Sequence, residues 1–276
     1  MSLLNPEHRE RLELIRPTAR YVMATEAHVY ALAISASVLL SFFPFCNVML
    51  SLTRNVLHWP AAEDAIYLAL NDYFPGELAG FLKRNLMLQG RLQITSMVLL
   101  LFTANGIFEP LEVALNRAWG ITKNRSYIMN QLIALGMIFL CGALAMLSLM
   151  FTAFNKQWVS AWSALGPAQS FLNLLVFKIA AVPISILALF LVYWLLPNRK
   201  ISPARVAPAA IYVGLVLEAL KYVNLAVAPY LQAKLEREYS IFRHSVAILL
   251  WSFIAAMVVL AGAEWTARHG DRDSVS

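Results

Sequence analysis

Long apolar stretches alternate with short polar loops along this chain, and six of them reach the length of a membrane span, at about 29–53, 92–115, 128–154, 171–196, 206–230 and 246–267. A span needs roughly 20 apolar residues. Hydrocarbon offers no hydrogen-bond partners to a bare backbone, so each span must satisfy its own N–H and C=O groups, which favours helices over open strands. The pattern predicts an all-α membrane protein whose six transmembrane helices form one domain, 28–268, between a polar leader, 1–27, and a short tail, 269–276.

Two other segments carry helical periodicity. In the leader, Leu12, Leu14, Ile15, Tyr21, Val22 and Met23 are interleaved with charges around Pro17, a pattern that predicts a cytoplasmic amphipathic helix with its basic side toward anionic headgroups or a plain solvated helix. Between the first two spans, Ile66, Ala69, Leu70 and Tyr73 and then Leu78, Phe81, Leu82 and Leu86 recur at helical intervals around Pro75-Gly76. That spacing predicts an external helical hairpin, covering the mouth of the bundle or lying on the outer membrane surface.

Composition agrees with the spans. The chain is 60% apolar and 14% charged, far from the charge content of a soluble domain. A net charge of +6 could suit nucleic acid, but the basic residues are spread over the polar segments instead of one face. Topology accounts for them better. Leader, 116–127, 197–205 and 268–276 carry twelve Lys and Arg, against eight in 54–91, 155–170 and 231–245, which places both termini in the cytoplasm. Cys46 and Cys141 fall inside spans and read as small core residues. No cleavable signal precedes the first span, which would itself act as the insertion signal.

Charged residues inside spans are the candidate chemistry. Counting along the helices at about 1.5 Å per residue puts Glu218 near the bilayer midplane. Lys221 follows one turn outward on the same face, and Lys178 enters the fourth span to a similar depth. Glu109, Glu112 and Glu264 gather toward the cytoplasmic side, and Asn105-Gly106 with Glu109-Pro110 weakens the second span enough to admit a discontinuous helix, a feature of transport sites. A lone central charge costs about 3 kcal/mol on insertion scales, so such groups face partners or a wet cavity. Together they predict a polar seam, serving either as an internal ion pair that locks the fifth helix to the fourth or as a transport path.

Catalytic signatures are missing. The five histidines are scattered, without an H-E-x-x-H or other metal pattern, and there is no phosphate loop and no G-x-S-x-G turn. No catalytic residue, metal site or cofactor is expected.

Several segments in order resemble the YihY/BrkB family of bacterial inner-membrane proteins. Leu39-Leu40-Ser41-Phe42-Phe43-Pro44 is similar to its LLS-x-x-P signature, and Leu115-Asn116-Arg117-Ala118-Trp119-Gly120, with Arg125 following, to its L-N-R-x-W-G loop. Leu196-Pro197-Asn198 resembles the L-P-N segment before span five, and Leu260-Ala261-Gly262-Ala263-Glu264 the sixth span. The chain departs from the pattern at Ala36-Ser37, where an aromatic pair is expected, at Ala209 in place of a glycine, and at Tyr239-Ser240 in place of tyrosine-glycine.

The resemblance implies a six-span protein of the bacterial inner membrane, with some relatives linked to envelope lipid movement or serum resistance. Members have carried the label ribonuclease BN, which nothing in this chain supports. The leading expectation is a transporter or flippase-like protein for a lipid or other amphiphile. The competing one is a structural or regulatory envelope protein that binds partners through its hairpin and basic loops. Membrane lipids are the expected partners, nucleic acid is not, and small residues on several spans suit helix association within one chain or in a homo-oligomer.

Overall fold

A computed structural model describes residues 16–73, 94–122, 125–161 and 182–272. Among these residues every regular element is a helix and there is no strand. After a helical turn at 16–22, the chain forms α1 (Thr25–Asn55), α2 (Pro60–Tyr73), α3 (Ile94–Ala118), α4 (Tyr127–Ala161), α5 (Val182–Leu195), α6 (Pro203–Tyr239) and α7 (Arg243–Arg272). Three runs, Thr25–Asn55, Ile94–Ala118 and Tyr127–Phe151, are long and apolar enough to cross a membrane. So is Pro203–Arg268, which folds back on itself as α6 and α7 at the 3-10 turn Ser240–Phe242. Val182–Leu195 is apolar but shorter, and 171–181, the first part of the span expected there, lies outside the described residues.

These helices outrun their apolar cores. Expected at 206–230, α6 extends to Tyr239, because its polar end, Lys234 to Glu238, consists of good helix formers. The break expected in the second span is corrected: α3 is one helix through Gly106 and Pro110. Pro110 removes one backbone donor, a loss the surrounding turns absorb. Gly106 serves close packing instead, since a Cβ there would stand 2.6 Å from Ser37 Oγ on α1.

α1 packs along α3 and α7, while α6 lies beside α7 and α4 beside α3. Ala27, Ala31 and Ser35 are fully buried on α1 at four-residue spacing, so the helices approach with little side chain between them. Outward, Phe102, Leu40 and Leu215 are among many exposed large apolar side chains, with Phe102 at 80% exposure. A surface of this kind calls for an apolar solvent.

α2 settles the position of the hairpin's first arm. Ile66 and Leu70 pack with Cys46, Met49 and Leu50 of α1, Met146 of α4 and Ile248 of α7. Arg54 reinforces the contact by pairing with Glu63 and donating to Tyr67 Oη at 3.2 Å. The arm therefore covers the end of the bundle, while the second arm, around 78–86, lies outside the described residues.

The opposite end gathers 16–26, 116–122, Arg125, 196–198 and 264–268. Here α3 ends in a Schellman arrangement, with Ile121 N–H bonding Asn116 O at 2.8 Å, Gly120 N–H bonding Arg117 O at 3.1 Å, and Gly120 at φ +64°. The chain so turned exposes Asn116 to the next loop.

Candidate functional site

Midway along α6, Glu218 and Lys221 form an ion pair one helical turn apart. Their side chains are 19% and 11% exposed respectively, so both charges are largely withdrawn from the surface. Lys221 Nζ also lies 5.3 Å from the centroid of the Tyr222 ring. The pair opens on a cavity of about 410 Å³ between α5, α6 and α7. Asn224 adds a buried amide from the next turn of α6, Ser185 a hydroxyl from α5 and Ser252 one from α7. The remaining walls are apolar, including Leu189, Leu217 and Trp251. An arrangement of this kind can hold a polar or charged group in an otherwise apolar surrounding.

A second cavity, about 380 Å³ and almost wholly apolar, lies between α1, α2, α4 and α5, with Phe42, Met49 and Leu70 in its walls. Cys46 and Cys141 border it as free thiols. Ser185 and Ala188 of α5 line both cavities, so only small side chains mark the boundary at these positions.

The other candidate carboxylates lie apart from the Glu218–Lys221 pair. Glu264 is buried on α7, where it pairs with Arg268 and accepts the Thr18 hydroxyl at 2.7 Å. Glu112 is buried on α3, within 3.5 Å of the Asn116 amide. Glu109, one turn before it, is exposed. Ser252 and Glu264 are separated by about 18 Å along α7, so Glu264 lies well apart from the charged pair in the middle of α6. Lys178 lies outside the described residues.

Most of the motif residues build the frame. Asn116 Oδ1 accepts Asn198 N–H at 2.7 Å, and the Arg125 guanidinium donates to the carbonyls of Leu196 at 3.3 Å and Pro197 at 2.8 Å. These bonds clasp the loop after α3 to the loop before α6. Trp119 packs against the core, Arg117 pairs with Glu26 at 2.7 Å, and Ser41 and Pro44 are buried on α1. At Gly262 a Cβ would meet Val213 Cγ2 at 2.2 Å, so α6 and α7 touch there through the missing side chain.

Sequence reasoning passed over Asn224, Ser185 and Ser252 as site residues. Asn224 continues the three-residue spacing of Glu218 and Lys221, a signal visible in the sequence. Ser185 and Ser252 come from other helices and carry no such mark. Thr18 was equally hidden, since its partner Glu264 is 246 residues away.

Helices of this length, an apolar exterior and a charged interior define a multi-pass helical membrane protein. The family model for virulence factor BrkB matches residues 19–275, and the chain belongs to that family. It is 24% identical over 263 residues to a UPF0761 membrane protein of Acinetobacter baylyi, covering 90% of this chain and 61% of the relative. A Pseudoalteromonas translucida UPF0761 membrane protein is 25% identical over 172 residues, 58% of this chain and 52% of its own length. This chain thus spans about three fifths or less of these two relatives. The match to Bacillus subtilis YfkH, named a putative ribonuclease-like protein, is 22% over 240 residues, 82% of this chain and 84% of the relative. No solved structure matches.

Proposed function

We propose that the protein moves a lipid or another amphiphile across the bacterial inner membrane, in a six-span arrangement with both termini in the cytoplasm. The observation that carries this reading is the Glu218–Lys221 pair beside a cavity of about 410 Å³. Charge in the middle of a span is costly unless it faces a partner or water, and a cavity is where either would be met. Its neighbour is an apolar cavity sharing Ser185 and Ala188. A charged head in one cavity and a hydrocarbon tail in the other is the division an amphiphile requires.

In this reading the chain binds and moves its substrate without a catalytic residue, its partners are membrane lipids, and nucleic acid has no part. The test is reconstitution into liposomes with lipid-scrambling and solute-flux assays, comparing wild type with Glu218→Gln and Lys221→Met. Flux by wild type and a loss of about tenfold or more in each variant, near 1.4 kcal/mol in a rate-limiting step, supports the proposal. Well-folded wild-type protein that moves nothing from a broad lipid and solute panel overturns it, in favour of a structural or regulatory envelope protein. Incubation of the same preparation with RNA and divalent metals tests the ribonuclease label, and intact RNA is the expected result.

A further inference from the structure

We propose that the notch between the leader and the end of α7 binds the phosphate of an anionic phospholipid, as a site separate from the chamber on α6. Its walls are Arg16, Pro17, Arg20, Tyr21, Ala24 and Arg268, around a volume of about 580 Å³. Arg16 and Arg20, four residues apart, lie on one face of the leader helix. Thr18, between them, donates to Glu264 at 2.7 Å and so fastens the leader against α7, where Arg268 stands. Arg268 of α7 thus borders the same notch as the two leader arginines, and the bond from Thr18 joins the two elements that form it.

Among the described residues, positive charge in the notch outweighs negative. Glu264 is the carboxylate in direct contact with this group, and it takes Nε of Arg268. Glu26 is engaged by Arg117 at 2.7 Å. Among the described residues, Arg16 and Arg20 make no ion pair. Three cations against one carboxylate leave a surplus that suits a phosphate oxyanion, and arginine's planar fork matches phosphate geometry.

The position selects a lipid over a soluble anion. Trp265, stacked with Tyr212 at 6.4 Å, follows Glu264 directly, and aromatic residues of this kind mark the headgroup level. Met23, just past the notch, is 82% exposed and offers an apolar surface where acyl chains begin. Basic pockets at the ends of membrane helices recognise acidic headgroups by this combination.

The experiment uses the full chain in mild detergent, titrated with phosphatidylglycerol, phosphatidylcholine and inorganic phosphate and read by native mass spectrometry. Two variants remove equal charge from the same end: Arg16→Gln with Arg20→Gln inside the notch, and Arg199→Gln with Lys200→Gln on the exposed loop before α6. Phosphatidylglycerol binding should fall about thirtyfold in the notch variant and much less in the loop variant, with phosphatidylcholine binding weak in all three proteins. Equal losses in the two variants would reduce the effect to general surface charge and overturn the site. Inorganic phosphate bound as tightly as the lipid would overturn the lipid assignment. Neither readout depends on flux, so the failure of transport and the failure of this site are separately visible.

Discussion

Removing one member of the Glu218–Lys221 pair leaves the other in a largely desolvated position. For fully buried pairs that loss is about 3–5 kcal/mol. At 19% and 11% exposure, beside a cavity large enough for water, the cost here is smaller, about 2 kcal/mol for Glu218→Gln or Lys221→Met. The double variant removes both charges with side chains of similar volume and should lie within about 1 kcal/mol of wild type. The cycle therefore predicts a coupling of about 3 kcal/mol, readable from unfolding in mixed micelles. Flux then separates the two roles. If the pair only stabilises α6, the double variant recovers flux along with stability. If the charges handle substrate, the double variant is stable and inactive. A double variant as unstable as the two single ones, or single variants as stable as wild type, would refute the premise that the charges are desolvated and coupled.

Three further outcomes test the frame. Ser240 sits at φ 48° and ψ −113°, a conformation open to glycine and strained for serine by about 1–3 kcal/mol, so Ser240→Gly should stabilise by about 1 kcal/mol after glycine's chain-entropy cost, seen as a higher unfolding midpoint. Gly262→Ala drives a methyl to 2.2 Å from Val213 Cγ2 and 2.9 Å from Tyr193 Oη and should destabilise by about 1–3 kcal/mol, with loosening of the Tyr193 bond to Val259 O visible in hydrogen exchange around Val259. Asn116→Ala removes the side-chain acceptor of the Asn198 N–H and should cost about 1–2 kcal/mol, with faster proteolysis at 197–202 as the local readout.

Periodicity reveals which stretches are helical far better than where helices stop. The hydrophobic run of α6 ends near residue 230, yet Lys234 to Glu238 keep the helix going, because helix propensity and hydropathy are separate properties. Counting also placed Glu218 and Lys221 on one face and in the middle of a helix, where they pair. Which way each residue faces was not legible. Glu109 and Glu112 are one turn apart, but Glu112 falls on the packed side of α3 and Glu109 on the exposed side, a distinction set by neighbouring helices. The three glycines are similar in this respect. Gly106, Gly214 and Gly262 resemble helix weakeners in sequence and act as sites of helix contact, against Ser37, Ile186 and Val213.

The departures from the family pattern acquire a physical meaning on the same terms. Ser240 replaces a glycine at the turn between α6 and α7, where φ is positive, and the chain tolerates the strain because the two helices it joins pack along each other. Ser37 stands where an aromatic residue is expected, and its hydroxyl occupies the space beside Gly106; a ring at that position would push α1 from α3. The motif residues that are retained, Asn116, Pro197 and Asn198 together with Arg125, lie at one end and join loops. The charges that invite a functional reading lie elsewhere, in the hollow middle of α6. If the proposed transport function holds, substitutions in the clasp should change stability first and substitutions in the chamber should change flux first.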